Sequence, residues 1–177
     1  MAQKKVLFIV AFDGFQQIEY AVPRKLLIDA GCDVITASNK AGVAIAKDGS
    51  SAKVNITLRE VHVPDYAGII FVGGPGTMEN LDTGESYTIA REAYEMKIPI
   101  GAICLATRVL VNSGVLRGKK ATGWNEDGKF AELCQKEEVQ YQKNEAVVID
   151  QNIITAVGPS AAEMFGNGFL KLIESKR

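Results

Sequence analysis

The sequence predicts an open, doubly wound α/β sheet, and three observations lead to it. Uninterrupted apolar runs recur along the chain, as expected of parallel strands covered on both faces. Stretches with apolar residues three and four apart lie between them, the signature of helices that bury one stripe. The chain has 177 residues, close to the ~150 typical of one domain, so residues 1–177 are expected to share a single core.

Taken in order, Val6 to Phe12 is the first apolar run. After Asp13-Gly14, a helical stripe runs through Ile18, Val22, Leu26 or Leu27 and Ala30, and Gly31 is placed to stop it. Cys32 to Ala37 reads as the second strand, which completes a βαβ unit with a right-handed crossover. Residues 39–64 are less regular. Short alternating pieces around Val43-Ala44-Ile45 and Val54 to Leu58, broken by Asp48-Gly49-Ser50-Ser51, predict a small hairpin or excursion. The buried-strand pattern returns at Ile69 to Val72 and ends in Gly73-Gly74-Pro75-Gly76. A helix is expected from about Ser86 to Met96, a strand over Pro99 to Ile103, and a helix over Ala106 to Ser113 that Gly114 stops. The last third predicts a helix over Asp127 to Lys136, then strands Ala146 to Ile149 and Ile153 to Val157 joined through Asp150-Gln151-Asn152. Gly158-Pro159-Ser160 leads into a final helix, where Ser160 and Glu163 have the spacing of a capping box. Strands alternating with helices in this way indicate the doubly wound sheet.

Composition narrows the function classes. Twenty Lys and Arg face 21 Asp and Glu, a net charge of −1. A nucleic-acid partner is not expected, because duplex binders carry a basic excess or stripe and the basic clusters here are only Lys4-Lys5, Arg117 to Lys120 and Lys176-Arg177. The apolar run Val6 to Phe12 is far shorter than the ~20 residues that span a bilayer, and it lacks a signal-peptide cleavage region, so a cytoplasmic protein with no membrane partner is expected. Cys32, Cys104 and Cys134 have no paired spacing, which predicts free thiols and neither disulfides nor a metal site. The turn at Gly73 to Gly76 lacks the lysine and spacing of a phosphate-binding loop, and no cofactor is expected. His62 is the single histidine, so any nucleophile–histidine chemistry within one chain has to use it. It lies in a loop and reads as structural.

In such a sheet, ligands bind beyond the carboxyl ends of the strands. Three turns sit there: Asp13 to Glu19, Gly73 to Gly76, and Cys104 to Thr107. Ala102-Ile103-Cys104-Leu105-Ala106 has the form small-x-nucleophile-x-small, the pattern of a strand-to-helix elbow that raises a nucleophile into a cleft. The helix N-terminus should favour thiolate and lower the thiol pKa. The N–H of Leu105, with one from the glycine turn, could hold a developing oxyanion. Glu19 begins the first helix on the same sheet edge. Beside a thiolate, its carboxylate would raise both pKa values, so the pair would share one proton. Cys32 and Cys134 read as fillers of the core or surface.

Together these residues resemble the ThiJ/PfpI superfamily, which includes the parkinsonism-associated deglycase and archaeal intracellular proteases. The resemblance rests on Val6 to Phe12 with Glu19 and Pro23, the Phe71 to Gly76 strand and turn, the Gly101 to Cys104 elbow, and Asn152 to Pro159 before the last helix. It implies a flavodoxin-like, mainly parallel sheet sandwiched by helices, of the class I glutamine amidotransferase-like kind, in a dimer or larger homo-oligomer. It also implies Cys104 as nucleophile, Glu19 as its carboxylate partner, and Gly74 with Leu105 as oxyanion donors. Protease-like members have histidine directly after the cysteine, where this chain has Leu105. Deglycase-like members have one near the position Trp124 occupies. The readings left open are an enzyme acting on small reactive carbonyls such as methylglyoxal, an oxidation sensor, a cysteine hydrolase or amidotransferase that borrows a histidine, and a non-catalytic binding or chaperone-like module.

Overall fold

The computed structural model describes residues 3–175, so the basic pair Lys176-Arg177 lies outside the described residues. The first half of the chain runs β1 (Lys5–Val10), β2 (Asp13–Phe15), α1 (Gln17–Asp29), β3 (Asp33–Ser38), β4 (Gly42–Ala46), β5 (Ser51–Val54), β6 (Ile56–Thr57), β7 (Gly68–Phe71), α2 (Thr77–Leu81) and α3 (Gly84–Glu95). The second half adds β8 (Ile100–Ile103), α4 (Ala106–Ser113), β9 (Lys120–Ala121), α5 (Lys129–Lys136), β10 (Gln140–Tyr141), β11 (Val147–Asp150), β12 (Ile153–Ala156) and α6 (Ala162–Ser175).

Seven strands form the central sheet in the order β11-β12-β8-β7-β1-β3-β6. All its pairings are parallel except the hairpin of β11 with β12. Val6 to Ala11 is fully buried, which explains why both strand faces are apolar. Helix α1 packs on α6, and α3 packs on α4, so helices flank the sheet. The expected sandwich is thus the architecture found.

Missing side chains decide how closely α6 approaches. A Cβ on Gly68 would lie 2.6 Å from the Phe169 ring, and one on Gly101 would lie 2.8 Å from the Phe165 ring. Both phenylalanines are fully buried, so the two glycines make the seats into which α6 inserts its aromatic side chains. Gly166, next to Phe165 on that helix, lets α6 come against α1, where a Cβ would lie 2.8 Å from Leu26 and 3.0 Å from Pro23. Pro23 has no N–H to give the carbonyl of Glu19, so the ladder of α1 is broken one turn after the residue that enters the site.

The irregular stretch after β3 is the expected excursion. β4 and β5 pair antiparallel, and β2 joins β4, giving a three-stranded sheet apart from the main one. One helix is added to those expected, and three expectations are corrected in detail. Helix α2 is too short, at five residues, to show a periodicity. Helix α3 begins two residues earlier than expected because Thr83 caps it, accepting from the Ser86 N–H at 3.5 Å. Helix α5 begins at Lys129 rather than Asp127, because Gly128 has φ +74° and the Asp127 carboxylate accepts from the Lys129 N–H at 3.1 Å. The capping box expected at Ser160 and Glu163 does not form. Pro159 to Ala161 instead makes a 3₁₀ turn, with the Ala161 N–H on the Gly158 carbonyl at 2.9 Å. Among the described residues, no helix is long and apolar enough to cross a membrane.

The seating of α6 carries a test. Gly101→Ala should lower the unfolding free energy by about 1–3 kcal/mol, as overpacking of a filled core does. The same change at Gly84, where an added Cβ meets nothing within 4 Å, should leave it the same or slightly higher. Urea titration of both variants measures the difference.

Candidate active site

The carboxyl ends of β1, β7 and β8 bring the three turns singled out in the sequence to one cavity of about 300 Å³. Its wall includes Gln16, Glu19, Gly74, Cys104, Leu105 and Trp124. Cys104 follows β8 and has φ +61°, a conformation that costs a non-glycine residue about 1–3 kcal/mol. Backbone bonds hold it there. Its N–H donates to the Ala156 carbonyl at 2.9 Å, and its carbonyl accepts from the Thr107 N–H at 3.3 Å. Leu105 then caps α4, so the chain turns from strand to helix at the cysteine, as an elbow does. The N–H groups of Leu105 and Gly74 both favour the ionised form of the sulfur.

Glu19, in the first turn of α1, is fully buried. Its Oε2 accepts from the Gly73 N–H at 3.0 Å, while its Oε1 is buried with no partner of good hydrogen-bonding geometry. The glycines make this fit possible. A Cβ on Gly73 would come within 2.6 Å of Glu19 Oε2 and 2.7 Å of Cys104 Cβ. Gly74 has φ +130°, and a Cβ there would strike the Gln16 nitrogen at 2.5 Å. Two adjacent residues without side chains therefore leave room for the carboxyl and the thiol to meet.

Burial pushes the Glu19 carboxyl up to about 7, against a smaller opposing effect from the thiol and the Gly73 N–H. The Cys104 thiol is pushed far up, first by burial and then by the negative charge of Glu19, against the Leu105 and Gly74 N–H groups. The expectation that the helix N-terminus would lower this pKa is corrected: two backbone donors do not offset the loss of water together with a neighbouring carboxylate. Both groups move upward, as two acids sharing one proton do. Around pH 7 the carboxyl is about half ionised, so the pair gains its one negative charge only above that pH, and a second ionisation is strongly opposed.

The other sequence candidates lie elsewhere. His62 Nδ1 is 3.0 Å from Asp65 Oδ1 at the surface, its side chain 70% exposed, and it does not line the cavity. Cys32 and Cys134 are buried, and loss of water is the first cause raising both thiols, Cys134 to about 11. Among the described residues, no group of three or more His, Cys, Asp or Glu is placed to hold a metal.

Lys47, Gln16 and Glu126 also line the cavity and were not foreseen. Lys47 ends the excursion strand β4, whose irregular sequence gave no hint that it returns to the site. Trp124 forms a wall and is itself held. The buried Arg108 guanidinium stacks 5.4 Å from its ring, donates to the Trp124 carbonyl at 3.4 Å and to Asp127 at 2.6 Å. A sequence signal for Arg108 existed: it is the one charged residue of α4, a helix otherwise mostly apolar, four positions after the thiol.

A thiol raised into a cleft on a strand-to-helix turn defines the nucleophile-elbow class of α/β proteins. Within that class the chain belongs to the DJ-1/PfpI family, whose pattern matches residues 4–172. It is 33% identical over 175 residues to the uncharacterized protein MJ0967 of Methanocaldococcus jannaschii, covering 98% of this chain and 84% of that one. It is 29% identical to the deglycase PfpI of Pyrococcus furiosus, covering 96% and 99%. The ThiJ/PfpI domain protein of Brachyspira murdochii superposes with a TM-score of 0.92 at 22% identity, covering 99% of this chain and 100% of that one, which shows the shared fold.

The buried carboxyl makes stability depend on pH. Its folded pKa of about 7 lies above the ordinary 4.5, so the folded state binds the extra proton in that interval. The stability this group contributes is complete below pH 4.5 and is lost as pH rises through 7. Glu19→Gln should flatten the decline between pH 4.5 and 7 and leave the protein more stable than wild type at pH 8. Urea midpoints across that range check it, and an unchanged slope would refute the assignment.

Proposed function

We propose that the chain converts small reactive carbonyl compounds, in the manner of a glyoxalase or deglycase, through Cys104 and Glu19. The observation that carries this reading is the buried Glu19 carboxyl, near 7 and facing the elbow thiol, because a proton shuttle works best when its pKa matches the ambient pH. Membership of a family with deglycase-named relatives supports the same class of chemistry.

With methylglyoxal, the ionised Glu19 accepts the thiol proton as sulfur attacks the aldehyde carbon, and the C–S bond forms as the carbonyl π bond opens onto oxygen. The N–H groups of Leu105 and Gly74 steady the charge on that oxygen, which takes up the proton to give a hemithioacetal. Glu19 then removes the hydrogen of that carbon as a proton and returns it to the adjacent ketone carbon, while the hydroxyl proton passes from the first oxygen to the ketone oxygen through the intervening enediol. The first carbon is thereby oxidised to a thioester and the second reduced to an alcohol, with no external oxidant. Water cleaves the thioester, releasing lactate and the thiol. Once sulfur is bound to carbon it carries no charge, so nothing holds Glu19 from acting as base and acid in turn.

A cysteine-hydrolase reading lacks a base, since no histidine lines the cavity and His62 is paired with Asp65. The proposed partners are a small-molecule substrate and a second copy of the chain. Cys104→Ser should abolish lactate formation from methylglyoxal. Glu19→Gln should reduce it by about 10²–10⁴-fold, the usual contribution of a positioned acid or base. Lactate yield in the presence of a thiol-free buffer measures both, and conversion that survives Cys104→Ser would end the proposal.

A further inference from the structure

The cavity is larger than methylglyoxal requires. At roughly 30 Å³ per water molecule in the liquid, about 300 Å³ is the space of ten waters, while methylglyoxal has only five non-hydrogen atoms. The remaining space has its own chemistry. Lys47 is the one cationic side chain on the wall, and its Nζ has no ion-pair or hydrogen-bond partner among the described residues. Its backbone is anchored, with the N–H donating to the Phe15 carbonyl at 2.7 Å. The adjacent Asp48 carboxylate is turned to Ser50, its Oδ1 accepting from the Ser50 N–H at 2.9 Å and the Ser50 hydroxyl at 2.5 Å, and it makes no ion pair with Lys47. Gln16 stands on the same wall. Its side-chain oxygen accepts from the Ile18 N–H at 3.0 Å, which leaves its amide N–H₂ as a donor.

A free ammonium and a free amide donor beside the thiol are the groups that bind a carboxylate. The opposing charges are Glu19, next to the sulfur, and Glu126, the other carboxylate on the wall. Without Lys47 the only charged groups an anionic substrate would meet are carboxylates. We propose that Lys47, with Gln16, recognises a carboxylate carried by the substrate, so that the preferred substrates are 2-oxoaldehydes bearing an anionic tail rather than neutral ones. This rests on the carbonyl chemistry proposed for Cys104 and Glu19. The reaction is unchanged: the aldehyde carbon is oxidised to the acid, the ketone carbon is reduced to the alcohol, water is consumed, and the tail takes no part.

Two measurements test it. In the first, kcat/KM for 4,5-dioxopentanoate is divided by that for methylglyoxal. The ratio should exceed one in the wild type and fall roughly tenfold or more in Lys47→Gln, the loss expected when a charged hydrogen bond is removed. It should rise in Glu126→Gln and stay unchanged in Lys53→Gln, an exposed lysine of β5 that does not line the cavity. In the second, the alkylation rate of Cys104 by iodoacetate, an anion, is divided by that by iodoacetamide, a neutral reagent. This ratio should also fall in Lys47→Gln, and it needs no turnover. A ratio indifferent to Lys47 in the alkylation experiment overturns the proposal. If methylglyoxal is converted through Cys104 but the tail earns no preference, the anion site fails while the carbonyl chemistry stands. If the alkylation ratio falls but neither aldehyde is converted, the anion site stands and the carbonyl chemistry fails.

Discussion

Glu19 and Cys104 share a space from which water is excluded, and the rest of the site follows from what that proximity demands. Two acids so placed cannot both ionise, so one proton has to remain between them. A carboxyl at the beginning of an exposed helix would be an ordinary acid of pKa near 4.5. Here α1 is pressed down by α6, and the turn after β7 closes over it, so the carboxyl loses its hydration and moves to about 7. The Gly73 N–H is the one fixed donor it keeps, and the second oxygen is left for the sulfur. The scaffold tunes the pair by removing solvent more than by adding charges.

That arrangement depends on close approach at several levels. Gly68 and Gly101 let α6 seat its phenylalanines on the sheet, Gly166 brings α6 against α1, and Gly73 and Gly74 let the turn pass beside the carboxyl and the thiol. Each is a place where a methyl group would strike an aromatic ring, the facing helix, the Gln16 backbone or an atom of the Glu19–Cys104 pair. The strained backbone of Cys104 belongs to the same series. It is tolerated because its N–H and carbonyl are both tied, to Ala156 and Thr107, so the neighbouring strand and the helix decide the conformation together.

Much of this was legible in the sequence, and the boundary has a physical origin. Strands such as Val6 to Val10 announce themselves because burial on both faces leaves no polar position, and the elbow announces itself because small residues must flank a sharp turn. Glu19 and Leu105 could be named from their places after those strands, and Gly74 from the family resemblance. The direction of the thiol pKa could not, because it is decided by how much water remains, and that depends on the packing of α6 forty residues and more beyond the cysteine. Lys47 and Glu126 were illegible for another reason. They come from a hairpin and a loop whose local patterns are weak, and only the tertiary path returns them to the cavity. The Ser160 capping box misled because spacing alone does not know that Pro159 begins a tighter turn.

The site is thus divided between two kinds of support. Its buried acid pair stands on the central sheet and on helices fixed by glycine contacts, where almost any replacement has a steric cost. Lys47, Trp124 and Glu126 stand on the excursion hairpin and on the segment between β9 and α5, outside that framework. Of these, only Trp124 is tied back to the elbow, its N–H donating to the Cys104 carbonyl at 3.4 Å, so variation at Lys47 and Glu126 can reshape the cavity mouth without disturbing the buried pair. The lining of the cavity can therefore vary at its periphery while the packing that holds the buried pair is kept.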